Sequence, residues 1–90
     1  MARKRERLSI IRDILLAIRE NRNIKPTRLL YASNLSPQMF KDYIDELLKK
    51  SFILFQINEK GKKFISLTKK GNDFLEEYRM IESFIANFGL

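Results

Sequence analysis

The 90-residue chain contains no cysteine and no histidine. These absences exclude disulfides, thiol chemistry and nearly all zinc sites, and they remove the usual general base of enzymes. With only three glycines, the chain has no glycine-rich phosphate-binding loop either. The acidic residues lie along the predicted helices in no paired constellation. The sequence therefore predicts no metal site and no cofactor, and we do not expect an enzyme.

A long apolar run is also missing. No stretch approaches the roughly 20 apolar residues that cross a membrane, and no apolar signal core follows the basic N-terminus. Hydrophobic residues make up 44% and charged residues 32% of the chain, a balance typical of one small globular domain. We expect a soluble, cytoplasmic protein with no membrane contact.

The positive charge is unevenly distributed along the chain. The formal net charge is +7, but residues 1–71 carry 17 basic and 7 acidic side chains, whereas residues 72–90 carry 1 basic and 4 acidic ones. Nucleic acid attracts the first part and repels the second. Many small domains are basic without binding nucleic acid, so charge alone leaves the question open.

Three helices are predicted in the first half. Apolar residues at three- and four-residue intervals indicate an amphipathic helix from about Arg5 to Asn21. Pro26 suits the first turn of a second helix, Asn34 tolerates the left-handed conformation of a helix stop, and Ser36-Pro37 starts a third helix. The short turn between the last two predicts a helix-turn-helix. The side chains expected inward are Leu8, Ile11, Ile14, Leu15 and Ile18 from the first helix and Met39, Phe40, Tyr43, Ile44, Leu47 and Leu48 from the third.

After Phe52 the pattern changes from helical to alternating, which predicts a β-hairpin. Ile53, Phe55 and Ile57 are expected on one face, and residues 58–62 form a turn cluster that contains Gly61. The second strand carries Phe64, Ile65 and Leu67. Three lysines give the hairpin a basic tip: Lys60, Lys62 and Lys63.

Thr68 can cap a last helix that runs from Lys69 to about Phe88. Its apolar residues are spaced four, three, four and three apart, as in a heptad seam. The seam comprises Phe74, Tyr78, Ile81, Ile85 and Phe88, widened by Leu75 and Phe84. The predicted fold is mainly α with a small β-hairpin, in the order helix, helix, helix, strand, strand, helix.

This order, with LSPQMFKDYIDELLKKSFI followed by ISLTKKGNDFL, resembles the winged-helix superfamily, in which a hairpin wing follows a helix-turn-helix. The phrase LTKKG running into Phe74-Leu75 resembles the strand-to-helix junction of many prokaryotic winged-helix regulators. With TRLLYASNLS and a terminal amphipathic helix, the chain resembles small archaeal nucleoid-associated winged-helix proteins. That resemblance covers about Leu8 to Phe88 and implies an archaeal setting and a dimer built by an antiparallel coiled coil of C-terminal helices. The last helix here, at about three heptads, is shorter than a long coiled coil of that type.

The winged-helix reading makes the third helix the candidate recognition helix, because a major groove admits an α-helix whose first residues reach the base edges. Gln38 can read adenine and Lys41 can reach guanine or a phosphate, while Asp42 and Asp45 oppose close approach to phosphates. The second helix, the wing and the N-terminal arm are expected to hold the backbone. Each cluster taken alone could be a solvated surface. The candidate DNA-binding residues are Arg3, Lys4, Arg5, Thr27, Arg28, Tyr31, Ser36, Gln38, Lys41, Lys60, Lys62 and Lys63.

The end of the last helix is the candidate dimerisation surface. A domain of this size cannot readily cover all of its apolar side chains, and an exposed patch of that kind favours a partner helix. We expect residues 1–71 to form a winged helix-turn-helix DNA-binding domain and residues 72–90 a dimerisation helix. The protein would be a transcriptional regulator, a chromosome-organising protein or both, without a small-molecule ligand; the alternative is a winged-helix module that binds another protein. The candidate dimer residues are Tyr78, Ile81, Phe84, Ile85 and Phe88.

Overall fold

A computed structural model describes residues 7–22 and 24–90. Within these ranges, no helix is both long and apolar enough to span a bilayer. The elements follow the predicted order, and the winged-helix fold class is confirmed. They are α1 (Arg7–Glu20), α2 (Pro26–Ser33), α3 (Pro37–Lys49), β1 (Ile53–Ile57), β2 (Lys63–Leu67) and α4 (Lys69–Asn87). The first helix was predicted from about Arg5, and its first two residues lie outside the described ranges.

Local chemistry sets the helix boundaries where the sequence predicted them. Asn34 ends α2 in the left-handed conformation at φ 61°, which asparagine tolerates better than most residues. The hydroxyl of Ser36 accepts a hydrogen bond from the N–H of Met39 and caps α3. Thr68 caps α4 in the same way by accepting from the N–H of Gly71. Such caps contribute about 1 kcal/mol each.

The hairpin joins the helical part through a third segment that the sequence did not predict. β1 and β2 pair antiparallel, with Ile53 opposite Leu67 and Ile57 opposite Lys63. On the other edge of β2, the N–H of Ile65 donates to the carbonyl oxygen of Ile24 at 2.9 Å in an isolated antiparallel bridge. The chain just before α2 is therefore tied to the middle of the wing.

The core lies between α1, α2, α3, the inner side of the hairpin and the first half of α4. Within the described ranges its buried hydrophobic side chains are all isoleucine or leucine, and Ile14, Leu15, Leu29, Leu47 and Ile65 are fully buried. Phe52 and Phe74 pack against it, with their ring centroids 5.6 Å apart. The core thus fixes the orientation of the helix-turn-helix, the hairpin and the start of α4 relative to one another.

Two side chains that were expected to point inward are about half exposed. Leu8 is 49% exposed, because it lies in the first described turn of α1, at the edge of the core beside α4. Met39 is 46% exposed in the first turn of α3, where Ile44 and Leu47 make the buried contacts further along the helix. The prediction that both side chains point inward is wrong. Helical spacing shows which residues share one face of a helix, but it does not show how much of that face the neighbouring elements cover.

Candidate nucleic-acid interface

The first turns of α3 form an exposed polar surface. Gln38 and Lys41 are both exposed there, as the prediction for a recognition helix requires. Each is tied to a carboxylate one turn further on: the amide Nε2 of Gln38 donates to Asp42 at 3.1 Å, and Lys41 Nζ lies 3.1 Å from Asp45. These are exposed pairs worth a few tenths of a kcal/mol, so DNA could displace them. Ser36, at the start of the same helix, is engaged by its capping hydrogen bond.

The wing has an ordered tip. The side-chain oxygen of Asn58 accepts from the N–H groups of both Lys60 and Lys62, at 2.9 and 3.0 Å, and Gly61 takes the left-handed φ of 77° that closes the turn. Lys63 Nζ lies 4.8 Å from the centre of the Phe55 ring. Lys60 and Lys62 are exposed on this hydrogen-bonded loop and Lys63 is exposed at the start of β2, so the three charges lie close together along the chain.

The start of α2 approaches this basic wing. β2 runs from Lys63 at the tip to Leu67 at the base, and Ile24 pairs antiparallel with Ile65. The chain after Ile24 therefore runs back towards the Lys63 end of β2, and α2 begins there. Thr27, Arg28 and Tyr31 are all exposed on this helix. The structure thus brings the candidate residues of α2 and of the wing to the same side.

The cations divide into a paired and an unpaired set. Arg12 pairs with Glu82 and Arg19 with Glu76, both at 2.8 Å, and these bonds hold α4 against α1. Arg7 pairs with Glu46. Between Arg22 and Lys70, by contrast, the cations that make no ion pair to any described carboxylate are Arg22, Lys25, Arg28, Lys49, Lys60, Lys62, Lys63 and Lys70. The uncompensated positive charge therefore lies on the loop before α2, on α2, at the end of α3, on the wing and at the start of α4.

Arg12 illustrates how firmly the paired set is held. Its partial burial lowers the pKa of the guanidinium, but the hydrogen bond and charge of Asp13, with the charges of Glu82 and Tyr78, raise it more, so the net pKa shift is upward. Its guanidinium also lies 5.6 Å from the centre of the Tyr78 ring. Arg12 is consequently committed to the contact between α1 and α4 and is not part of a free basic surface.

The model of the winged helix-turn-helix family matches residues 4–86. This chain belongs to the winged helix-turn-helix family. The family is typically non-enzymatic, in agreement with the prediction from composition.

Two relatives come from the archaeon Methanocaldococcus jannaschii, and both are uncharacterised proteins. One is 38% identical over 74 residues, which cover 82% of this chain and 32% of the relative. The other is 41% identical over 68 residues, covering 70% of this chain and 69% of the relative. The chain thus spans about a third of the length of the first relative and two thirds of the second.

Solved structures of winged-helix proteins superpose on most of the chain. MepR, a transcription regulator of the Staphylococcus aureus multidrug efflux pump MepA, gives a TM-score of 0.78 at 15% identity, covering 88% of this chain and 60% of that one. Sso10a-2, a DNA-binding protein from Sulfolobus solfataricus, gives 0.69 at 22% identity, covering 93% and 85%. At these identities the likeness establishes the winged-helix fold.

The winged-helix core leaves the end of α4 uncovered. Phe84 and Phe88 are 62% and 66% exposed, and their ring centroids lie 4.9 Å apart. A groove of about 320 Å³ continues this apolar face towards α1. Tyr78 is half-buried at its inner end, and Ile81 and Ile85 are exposed. The lining of the groove is Leu8, Phe74, Glu77, Tyr78, Ile81, Glu82 and Ile85.

The sequence prediction missed several exposed residues of the winged helix. Arg22 and Lys25 lie with Arg28 around one hollow before α2, and Met39 stands beside Gln38 at the start of α3. The signal for Arg22 and Lys25 is their charge in the segment between the first two predicted helices, to which the sequence prediction assigned no role. Of the predicted basic arm, Arg3, Lys4 and Arg5 lie outside the described residues, and Arg7 pairs with Glu46.

Proposed function

We propose that the protein binds double-stranded DNA as a homodimer, with α3 of each protomer in a major groove and the wing on the backbone or in the minor groove. The observation that carries this proposal is the unpaired set of cations, six of which lie just before α2, on α2 or on the wing, in a family whose fold presents these elements to DNA. Acting on the chromosome in the cytoplasm, such a protein would regulate transcription, organise the chromosome or do both.

Homodimerisation is proposed from the apolar end of α4. Large exposed apolar patches on small domains mark interaction sites, and a two-fold pairing of identical helices is the simplest cover. From Asn72 onward the helix carries four carboxylates and a single cation, Arg79, so pairing through this part keeps negative charge away from the basic face. The resemblance to dimeric archaeal winged-helix proteins supports an antiparallel arrangement of the two helices.

The direct test is a salt series. A labelled duplex of about 30 base pairs of mixed sequence is titrated with the protein, and binding is followed by fluorescence anisotropy. Because each neutralised phosphate releases counterions, log K should fall linearly with log salt, with a slope of about −0.9 per phosphate contact. Absence of binding at low salt would overturn the proposal and would favour the alternative, in which α4 docks on a different protein.

The DNA footprint, meaning the surface of the protein that contacts DNA, can be tested by replacing Arg28, Lys60 and Lys62 with alanine. If the three cations contact phosphates in both protomers, about six contacts are lost and the salt slope becomes shallower by about five. Affinity should fall alike on all sequences, because phosphate contacts carry no sequence information. The matched control changes Lys50, Lys69 and Arg79, which are paired with carboxylates. An equal loss in both variants would contradict the footprint and point to net charge alone.

The carboxylates on α3 should limit affinity. Replacing Asp42 and Asp45 with asparagine releases Gln38 and Lys41 from their intrahelical pairs and removes two negative charges facing the phosphates. We expect binding to tighten by about tenfold, since each exposed charge contributes roughly 0.2–1 kcal/mol. Binding is measured at a fixed salt concentration, with Asp73→Asn and Glu77→Gln on α4 as the matched control. Unchanged or weaker binding would argue against α3 facing DNA.

A further inference from the structure

A hollow of about 380 Å³ lies between the end of α1 and the start of α2. It is lined by Asn21, Arg22, Ile24, Lys25 and Arg28. The three cations, Arg22, Lys25 and Arg28, make no ion pair to any carboxylate in residues 7–22 or 24–90. Three like charges around one concavity repel each other. An anion bound there would be attracted by all three and would offset their mutual repulsion.

The chemistry of the three side chains is that of a phosphate site. A guanidinium presents a planar fork that matches phosphate oxygens with two hydrogen bonds, and an ammonium adds a point charge. Lys25 is also the N-cap residue of α2, and its side chain makes no capping hydrogen bond. The positive end of the helix dipole therefore adds to the three charges at this place.

The hollow adjoins strand β2 of the wing through Ile24. Ile24, at its wall, is the residue that pairs with Ile65 of β2, and the chain after it runs towards Lys63 at the start of that strand. An extended anion that meets the wing and α2 would thus pass over the hollow. A polymer with regularly spaced phosphates suits this geometry better than a single small anion.

We propose that Arg22, Lys25 and Arg28 form a binding site for a phosphate group of the DNA backbone, next to the wing. This proposal rests on the proposed function, because DNA is the source of the phosphate group. Free inorganic phosphate has the same recognition chemistry, and the experiments below separate the two sources. Arg22 and Lys25 extend the DNA footprint beyond the helix-turn-helix to the loop that precedes it.

The first experiment compares the wild-type protein with the double variant R22Q/K25Q in the salt series. Glutamine keeps much of the side-chain length while removing the charge, and both positions are exposed, so folding should be retained; circular dichroism checks this. Loss of one phosphate contact per protomer makes the slope shallower by about two for a dimer. The control K69Q/R79Q removes the same charge from paired cations and should leave the slope nearly unchanged.

The second experiment follows backbone amides of the full chain by nuclear magnetic resonance. The duplex is added in one titration, and sodium phosphate at about 10 mM replaces sodium chloride at equal ionic strength in another. Shifts in residues 24–28 with the duplex, lost in R22Q/K25Q while those of α3 remain, support the DNA-phosphate site. Equal shifts with phosphate and with duplex identify free phosphate as the occupant and overturn the backbone assignment.

The two proposals fail in distinguishable ways. If the wild-type protein binds duplex and R22Q/K25Q binds with the same slope and affinity, the phosphate site is wrong and the DNA-binding function stands. If the wild-type protein does not bind duplex at low salt, the DNA-binding function is wrong and so is the backbone assignment. The phosphate titration then decides whether the hollow binds the free anion or no anion.

Discussion

Replacing Phe84 and Phe88 with aspartate is expected to convert a dimer into a monomer. Both rings are about two-thirds exposed on one chain, so their loss should disturb the protomer little. In a two-fold interface four rings would be buried, each contributing roughly 1.5–3 kcal/mol when burial is complete. Scaled to the exposed fraction, the loss is about 4–8 kcal/mol, which raises the dimer dissociation constant at least about a thousandfold.

The measurement is light scattering after size-exclusion chromatography over a range of protein concentrations. The matched control is Ser83→Asp with Ala86→Asp, which adds the same charge to α4 outside the apolar groove lined by Tyr78, Ile81 and Ile85. The control should stay dimeric. A wild-type protein that is monomeric at about 100 μM would contradict the dimer, as would an F84D/F88D variant with an unchanged mass, and either outcome would direct attention to a different partner for α4.

DNA binding should respond to the same variant. A dimer engages two half-sites, and the second engagement occurs at high effective concentration, which raises overall affinity by about 10²–10⁴. The monomer should therefore lose at least about a hundredfold in affinity, and its salt slope should fall to about half. The winged-helix surface itself is unchanged by these substitutions, so a residual, salt-dependent affinity should remain.

The element order of this protein could be predicted because its signals are local. Ser36, Thr68 and Asn34 act within one turn of their own backbone, and each has the predicted role. The change from helical to alternating hydrophobicity at Phe52 is equally local. Such signals depend on neighbouring residues in the chain, and a single sequence contains them in full.

Other features depend on what packs against an element and could not be predicted this way. Leu8 continues the apolar spacing of α1, yet it is half exposed because its helix extends to the edge of the core. Arg22 and Lys25 line one hollow with Arg28, and the chain between them is held by the pairing of Ile24 with Ile65, 41 positions apart. Pairing between Arg12 and Glu82, or Arg19 and Glu76, likewise decides which cations remain free. The exposure of Leu8 and the ion pairs depend on tertiary contacts, so composition and residue spacing do not determine them.

Gly71 ends the junction phrase LTKKG, and the structure explains why a glycine occupies this position. It stands in the first turn of α4, close to the carbonyl oxygen of Phe52 and the side chain of Leu67. A Cβ atom built on it would lie 2.3 Å from that oxygen and 2.7 Å from Leu67 Cδ1. Its N–H donates to Thr68 Oγ1 at 3.0 Å, while the Thr68 hydroxyl lies 2.6 Å from the carbonyl oxygen of Ser51, to which it donates. The junction between wing and α4 is therefore packed backbone to backbone.

Two effects of opposite sign compete in the variant Gly71→Ala. Helix propensity favours alanine by about 0.8–1 kcal/mol, whereas the new Cβ would overlap a backbone oxygen that no rotamer change can move. The overlap is relieved only if α4 shifts. A shift weakens the Thr68 cap, which contributes about 1 kcal/mol, and the contact between Phe52 and Phe74, which contributes about 0.5–1.5 kcal/mol. It also adds packing strain of about 1–3 kcal/mol. Because the steric effects are larger, we expect a net destabilisation of about 2–4 kcal/mol, or a fall in Tm of about 10–25 °C for a domain of this size.

The free energy of unfolding is measured by urea denaturation with circular dichroism, at one protein concentration because dimerisation would couple to stability. Gly89→Ala is the matched control: that glycine lies beyond the end of α4 with no atom within 4 Å of the added Cβ, so the change should cost only the roughly 1–2 kcal/mol of its left-handed φ. A Gly71→Ala protein as stable as the wild type would mean that propensity prevails and that α4 can move away from Phe52 without loss. The expected destabilisation would instead establish that the close approach at Gly71 fixes how α4 leaves the wing, and with it the direction in which the apolar face of α4 is presented to a partner.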